Sequence, residues 1–249
     1  MRFIAALAVA GVVLGAQRAG AQTDDTRFYI NVSGAFEPGS QTYADNGTFR
    51  LYDETGRLSV ASEVSSGAVL DVAVGGKVAG NFTFGMGFHR TSNSDPATVT
   101  GTAPHPIFFD RPRAFSQTID ALTRTEQALH ISVGYLVSVG EKLDLHITAG
   151  PSQFRFAQQV PGSVTISETS GTFTTVQATV ATESRKRNAW GGHVAADLSY
   201  PVFESGAATF RLGTFVRYAK ASSEFQVVTN SVTTTLGGVQ LGAGLRVRF

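Results

Sequence analysis

The sequence predicts an all-β chain: an antiparallel up-and-down transmembrane β-barrel of about eight strands, with long loops at one end and short turns at the other. Three observations predict it. Segments in which apolar residues alternate with polar or very small ones recur along the chain. The connections between them are alternately long and short. The last segment, Val239 to Phe249, places Val239, Leu241, Ala243, Leu245, Val247 and Phe249 on one face and Gly, Gln or Arg between them, and it ends on an aromatic residue.

The strands follow in order. The first spans Arg27 to Phe36, with Phe28, Ile30, Val32, Gly34 and Phe36 on one face. The second, Ala68 to Val78, sets Ala68, Leu70, Val72, Val74, Gly76 and Val78 against Asp71, Ala73, Gly75 and Lys77. Gly80-Asn81 makes a tight turn into the third, where Phe82, Phe84, Met86 and Phe88 oppose Thr83, Gly85, Gly87 and His89. A fourth runs from Thr125 to Val139, with Leu129, Ile131, Val133, Tyr135 and Val137 outward. After Gly140-Glu141-Lys142 the fifth carries Leu143, Leu145, Ile147 and Ala149 against Asp144, His146, Thr148 and Gly150. The sixth spans Asn188 to Tyr200. In the seventh, Phe210, Leu212, Thr214, Val216 and Tyr218 oppose Arg211, Gly213, Phe215 and Arg217. Val239 to Phe249 is the eighth and closes the ring.

Residues 37–67, 91–124, 158–187 and 222–234 are long connections; 79–81, 140–142 and 201–207 are short. Parts of the long ones are strand-like, notably Thr48–Tyr52 with Arg57–Val64 and Val164–Ile166 with Thr172–Val180. Such pairs either extend the barrel as hairpins or raise the strand number to ten. Aromatics cluster at two levels. Phe28, Phe82, Tyr200, Phe210 and Phe249 lie near the short turns, and Phe36, Phe88, Trp190 and Tyr218 near the long loops, as the two interfacial girdles of a membrane barrel require.

The amino-terminal segment reads as an export signal over residues 1–21. Arg2 precedes an apolar run from Phe3 to Ala16, and Ala19-Gly20-Ala21 fits a small-x-small cleavage site. The run is roughly 14 residues, short of the ~20 that span a bilayer as a helix. Residues 22–249 then form one barrel domain. The chain has no cysteine, which excludes disulfides, thiolate zinc sites and lipid attachment to cysteine. Lys and Arg number 20 against 19 Asp and Glu; without Arg2 and Arg18 the balance is 18 against 19, far from the basic excess of a nucleic-acid binder. Mean hydropathy is +0.03, because every second residue of a barrel strand is polar.

The closing strand Val239–Phe249, the Val78–Phe84 turn and the repeated in/out alternation resemble the small bacterial outer-membrane β-barrel family, of which the OmpA membrane domain and OmpX are familiar members. The resemblance covers residues 27–249 and is architectural. It implies a location in the bacterial outer membrane, short turns in the periplasm, and long loops outside the cell. It also implies contact with outer-membrane lipid and lipopolysaccharide, escort by periplasmic chaperones, and insertion by the barrel-assembly machinery with Phe249 as the assembly signal. Segments 91–124 and 158–187 are longer than those of compact members. A monomer without cofactor is expected.

Inward positions carry an ionisable set: Asp71, Lys77, His89, His130, Asp144, His146, His193, Asp197, Arg211, Arg217, Arg246 and Arg248. A metal site or proton relay is one reading. The other, preferred, is a polar network that plugs the lumen, since an eight-strand barrel has room only for side chains and buried charges must be paired. No close metal-ligand spacing occurs, and no catalytic motif. A lipid-modifying site would need His89 beside Ser92 or Ser94. In the second long loop, Phe108, Phe109, Arg111 and Arg113 form a candidate contact surface, because Arg pairs well with phosphate; a loop folded back to bury Phe108 and Phe109 is the plainer alternative. Ser184-Arg-Lys-Arg-Asn188 sits where lipid headgroups would lie. The sequence therefore points to a structural or surface-binding barrel rather than an enzyme, with a small pore as the alternative.

Overall fold

In a computed structural model the described residues are 27–38, 41–65, 67–140, 142–168, 173–226 and 231–249; the segment 1–21 read as an export signal lies outside them. The strands are β1 (Phe28–Glu37), β2 (Gln41–Leu51), β3 (Glu54–Val64), β4 (Gly67–Ala79), β5 (Phe82–Ala103), β6 (Arg113–Val139), β7 (Leu143–Glu168), β8 (Val176–Ser205), β9 (Ala208–Gln226), β10 (Ser231–Leu236) and β11 (Val239–Arg248). Eight of them close a ring in the order β1, β4, β5, β6, β7, β8, β9, β11, with every neighbour antiparallel. The eight-strand expectation holds. The ring closes where Val32 faces Leu245 and Ile30 faces Val247. Phe28 N donates to Phe249 O at 2.8 Å and Phe249 N to Phe28 O at 3.1 Å.

The expected alternation sets the two faces. Phe28, Val32, Leu70, Phe84, Met86, Val133, Ile147, Val194, Leu198, Leu212, Val216 and Leu245 are exposed on the outside, while Ser33, Asp71, His130, Arg217 and Arg246 are buried on the inside. Exposed aromatics bound this apolar belt: Phe28, Phe82, Tyr135 and Tyr200 at the short-turn end, Phe36, Phe88, Trp190 and Tyr218 at the other. Ten residues separate Tyr200 from Trp190 on β8. At the tilt usual for such barrels they rise about 25 Å, the height of a membrane barrel's apolar band. Gly80, Gly140 and Gly206 take positive φ at the three short turns.

The segments expected as long loops are mostly strand, and this is the main departure from the sequence reading. β2 and β3 form the hairpin foreseen within 37–67, and β3 then pairs with the far half of β5, Arg57 opposite Thr102 and Ser62 opposite Ala97. β5 and β6 stay paired out to Ala103 and Arg113. β7 and β8 stay paired out to Glu168 and Val176, with Val164 opposite Val180. The hairpins lengthen the barrel and do not widen it. Beyond the belt they stack as two leaves around a separate core of Leu58, Val60, Val99, Ala103, Phe115 and Val180, flanked by Phe49, Leu51, Ile119, Val164 and Ile166. This sandwich is the head of the molecule.

The transition shows in each strand as a reversal of pattern. On β7, Ile147 and Ala149 face out below Pro151; above it Gln153 and Arg155 face out while Phe154 and Phe156 are fully buried inside. A wall that faces hydrocarbon is apolar outside; one that faces water must be polar outside and apolar within. A charge should therefore be costly on the belt and cheap above it. Val133→Arg is expected to lower unfolding stability in lipid vesicles by about 2 to 4 kcal/mol, and Ser94→Arg by no more than about 1 kcal/mol. Urea titration of both variants measures the difference; equal effects would contradict the placement of the belt.

Candidate functional site

The lumen is filled in layers. Nearest the short turns, Asp144 on β7 is shared by Arg211, at 2.9 Å, and Arg248. Arg211 also donates to Ser199 Oγ at 3.1 Å and to the Lys142 carbonyl at 2.9 Å. Above them His146 is hydrogen-bonded to Thr83 at 2.8 Å, with the Tyr29 ring edge-on at 5.3 Å. Lys77 lines the same lower cavity. Arg246, the largest fully buried side chain, donates through Nε to Asp197 Oδ2 at 3.0 Å and through its guanidinium to Ser33 Oγ at 2.9 Å. Gly213 makes room for it: a Cβ there would meet Arg246 Nε at 2.5 Å.

A chain of hydrogen bonds crosses the middle. His89 Nδ1 meets His130 Nε2 at 2.8 Å, His130 Nδ1 meets Ser152 Oγ at 2.7 Å, and Ser152 Oγ meets His193 Nδ1 at 2.9 Å. His193 Nε2 then reaches Ser132 Oγ at 3.1 Å. Arg217 pairs with Asp71 at 2.7 Å and donates to Gln240 Oε1 at 2.8 and 2.6 Å, and Gln240 donates on to Glu37 at 2.9 Å. At the top of the polar section Arg124 pairs with Glu126 at 3.3 Å, and Glu126 accepts from Gly237 N at 2.7 Å. Beside and beneath this pair an apolar lid of Phe154, Phe156 and Leu236 packs with Ala128, Ala219 and Ala221, Phe156 opposite Glu126 and the Arg124 guanidinium over the Phe156 ring at 4.8 Å.

Every residue placed inward from the sequence thus lies in the lumen. The ring brings Asp144 to Arg211 and Arg248, Asp197 to Arg246, and Asp71 to Arg217. Sequence reasoning missed Ser152, Gln240, Glu37, Arg124, Glu126 and the lid. Glu126 and Gln240 lie within the strands read from the sequence; Glu37, Arg124, Ser152, Phe154 and Phe156 lie beyond the ends assigned to their strands, and Leu236 falls between the last long connection and the closing strand. Among the described residues the lumen holds cavities of about 20 and 60 Å³, lined by Lys77 and His146 and by His130 and His193 respectively. They suit a few waters and fall well short of the 300–1,000 Å³ of a usual ligand pocket. No group of three or more potential metal ligands has the geometry to hold an ion among the described residues.

His89 does not meet the serines suggested as its partners. It points inward and bonds His130, whereas Ser92 is exposed on the outer face, near Thr125 Oγ1 at 3.4 Å. Ser152 is the serine that does touch histidines, yet it is fully buried beneath the lid, where a substrate has no approach.

The candidate contact surface divides. Ile107, Phe108 and Phe109 stand exposed at the tip of the β5–β6 hairpin, Phe109 at 83%, and the Arg111 guanidinium lies over the Phe108 ring at 5.4 Å. The loop does not fold back on the barrel mouth. Arg113 departs from the expectation: it is 8% exposed and clamped between the leaves, donating to Glu168 at 2.7 Å, the Pro104 carbonyl at 2.7 Å and the Phe173 carbonyl at 3.0 Å. It cross-braces the head. The Arg113 hydrogen bond holds the Glu168 carboxyl below its ordinary range. The stabilisation from this pair is present above the ordinary carboxylate pKa and fades as pH falls through the lowered one.

The lumen pairs give a test. Asp197→Ala leaves Arg246 buried without its partner and is expected to cost about 3 to 5 kcal/mol of unfolding stability. Asp197→Ala with Arg246→Met is expected to recover most of the loss. Denaturant titration in detergent measures both, and an Asp197→Ala effect below about 1 kcal/mol would contradict the pairing.

No protein-family profile matches the chain, and no curated protein does. Among solved structures, the chain is similar to Neisserial surface protein A, at 13% identity and TM-score 0.40, covering 89% of this chain and 95% of that one. It is similar to Ail, the attachment invasion locus protein of Yersinia pestis, at 10% identity and TM-score 0.36, covering 88% and 99%. It is also similar to the outer membrane protease OmpT of Escherichia coli, at 10% identity and TM-score 0.41, covering 93% and 99%. Likenesses this distant add nothing on function, and the assignment of architecture rests on the ring itself: a closed, antiparallel, up-and-down barrel of eight strands with an apolar outer belt.

Proposed function

We propose that the chain is a bacterial outer-membrane barrel with a sealed lumen, which holds a folded β-sandwich head outside the cell as a contact surface. One observation carries this reading: the interior is packed from the Asp144 layer to the Phe154 lid, while the hairpins above the belt build a core of their own. A structure that invests its long connections in a packed head and, among the described residues, fills its lumen around cavities of about 20 and 60 Å³ is suited to binding or structural work. The tip residues Phe108, Phe109 and Arg111 are the proposed point of contact with a surface partner. The lumen network of Asp71, Lys77, His130, Asp144, His146, His193, Asp197, Arg217, Arg246 and Arg248 serves as a structural plug, without catalysis. Phe249 serves as the assembly signal read by the barrel-assembly machinery after delivery by periplasmic chaperones, and the barrel works as a monomer among outer-membrane lipid and lipopolysaccharide.

The pore reading is disfavoured by the same packing. Planar-bilayer recordings of the folded chain are expected to show no conductance steps above the lipid background; regular steps would restore the pore. Orientation is tested with a single cysteine, since the chain has none. Phe109→Cys is expected to react with a membrane-impermeant maleimide on intact cells. Labelling only after the outer membrane is permeabilised would place the head on the wrong side.

A further inference from the structure

The three long hairpins end at one apex. Leu51 opposite Glu54 closes β2 on β3, Ala103 opposite Arg113 ends the pairing of β5 with β6, and Glu168 opposite Val176 ends that of β7 with β8. Hydrogen bonds tie the three ends together. Tyr52 Oη donates to Glu168 Oε1 at 3.0 Å, Asp110 N donates to Glu54 Oε2 at 3.1 Å, and Arg113 donates to the Phe173 carbonyl at 3.0 Å. Within the β5–β6 tip, His105 Nδ1 accepts from Ile107 N at 3.1 Å and from Phe108 N at 3.2 Å. The tips are pinned to one another, yet Ile107, Phe108 and Phe109 stay exposed in succession, as does Tyr52 on the neighbouring tip.

The backbone of the apex is strained. Among the described residues the non-glycine positions with positive φ are Tyr52, Asp53, Asp110 and Phe173, at 52°, 60°, 55° and 51°, and all four sit at these tips. A two-residue hairpin turn with positive φ at both centres favours Asn-Gly; here it carries Tyr52-Asp53. Bulky side chains take this conformation at a cost that glycine avoids. Aromatic groups thus occupy positions where the backbone alone selects small residues, and such strain gathers at working surfaces. Ile107, Phe108 and Phe109 follow one another through bend and turn positions, so their side chains diverge and the surface is convex. A deformable apolar medium covers diverging side chains; a flat, rigid partner does not. Within the tips Arg50, Arg111 and Arg113 stand against Asp53, Glu54, Asp110 and Glu168, so charge nearly cancels and does not draw the apex to a strongly charged partner. The apex also stands clear of the membrane that the barrel crosses. Fourteen residues of β8 separate Trp190 in the upper girdle from Val176 at the tip, a rise of about 30 Å at the usual tilt.

We infer that Tyr52, Ile107, Phe108 and Phe109 insert into the facing leaflet of a second lipid bilayer, zwitterionic and apposed to the cell surface. The inference rests on the reading above that the head lies outside the cell, and it gives that contact surface a defined partner. Ile107, Phe108 and Phe109 enter the region just below the headgroups, where aromatic rings sit favourably. The Tyr52 hydroxyl keeps its bond to Glu168 at headgroup level. The Arg111 guanidinium, 5.4 Å from the centre of the Phe108 ring, reaches back toward the headgroups, as long cationic side chains do at such an interface. Tips already pinned by hydrogen bonds lose little freedom on insertion. Four side chains hold a bilayer weakly, and many copies displayed on one surface multiply the effect.

Co-flotation tests the insertion. The full chain, folded in lipid nanodiscs, is mixed with protein-free phosphatidylcholine vesicles and, separately, with vesicles that also carry phosphatidylglycerol; binding is scored relative to empty nanodiscs. The chain is expected to float with phosphatidylcholine vesicles at low and at high salt, with no gain from phosphatidylglycerol. Phe109→Ser is expected to lower vesicle partitioning about tenfold and Phe108→Ser/Phe109→Ser about a hundredfold, whereas Phe109→Leu retains most of it. These side chains are exposed, so the variants are expected to keep the heat-modifiable gel mobility of a folded barrel, which is scored first; the single variant guards against misfolding of the double one. Flotation that requires phosphatidylglycerol and is lost at high salt overturns the inference, as does unchanged partitioning of the folded variants. A chain that floats with neither vesicle, while Phe109→Cys is labelled on intact cells, overturns the inference alone and leaves the head to a protein partner. Labelling of Phe109→Cys only after permeabilisation overturns the reading of the head and the inference with it.

Discussion

The whole architecture depends on one requirement: inside hydrocarbon no backbone N–H or C=O can be left without a partner. A sheet meets that requirement only by closing on itself. Here the closure lies between β1 and β11, where the register runs from Tyr29 opposite Arg248 to Phe36 opposite Leu241, and reciprocal bonds join Phe28 and Phe249. Once the ring is closed at eight strands its diameter is set, and so is the space inside. Side chains must fill that space, and half of every strand points into it.

Filling a narrow interior with polar groups makes its own demands. An arginine in the lumen is taken out of water, and its cost is offset only if a carboxylate and further acceptors surround it. The arrangement answers this in each layer. Arg246 has Asp197 and Ser33, Arg217 has Asp71 and Gln240, and Arg211 and Arg248 share Asp144. These contacts join strands far apart in sequence, so they fix the ring's cross-section as well as its register. Near the outer end polar groups give way to Phe154, Phe156 and Leu236. Gly237 allows that change: its positive φ turns the chain after Leu236, and a Cβ there would strike the Ala219 carbonyl at 2.4 Å.

The sequence made the membrane half legible because a period of two is preserved through the belt. Counting back from Phe249 puts Arg248 and Arg246 inside and Val247 and Leu245 outside, and register with β1 bears out that parity. The head was harder to read. At Pro151 the apolar residues cross from the outer face to the inner one, so a rule of apolar outside ends the strand at Gly150, when in fact β7 runs on to Glu168. The same crossing ended the third strand at His89, although β5 continues to Ala103. Ser, Thr and Gly in these stretches looked like loop because their partners, the far halves of neighbouring hairpins, lie up to dozens of residues away. Arg113 illustrates the difficulty: its spacing from Arg111 suggested a shared surface, whereas only the pairing of leaves reveals Glu168 beside it.

The crossing of faces on β7 is the feature on which the division into belt and head stands, and it can be measured directly. Single cysteines placed in the cysteine-free chain at Leu145, Ile147, Ala149, Gln153, Arg155 and Gln159 all lie on the outer face. With spin labels attached and the chain folded in lipid vesicles, accessibility to oxygen and to a water-soluble nickel chelate reports hydrocarbon against water at each site. The account predicts oxygen-dominated signals at positions 145, 147 and 149, a reversal across Pro151, and nickel-dominated signals at positions 153, 155 and 159. Uniform access to nickel along the whole row, as on a water-soluble barrel, would contradict it.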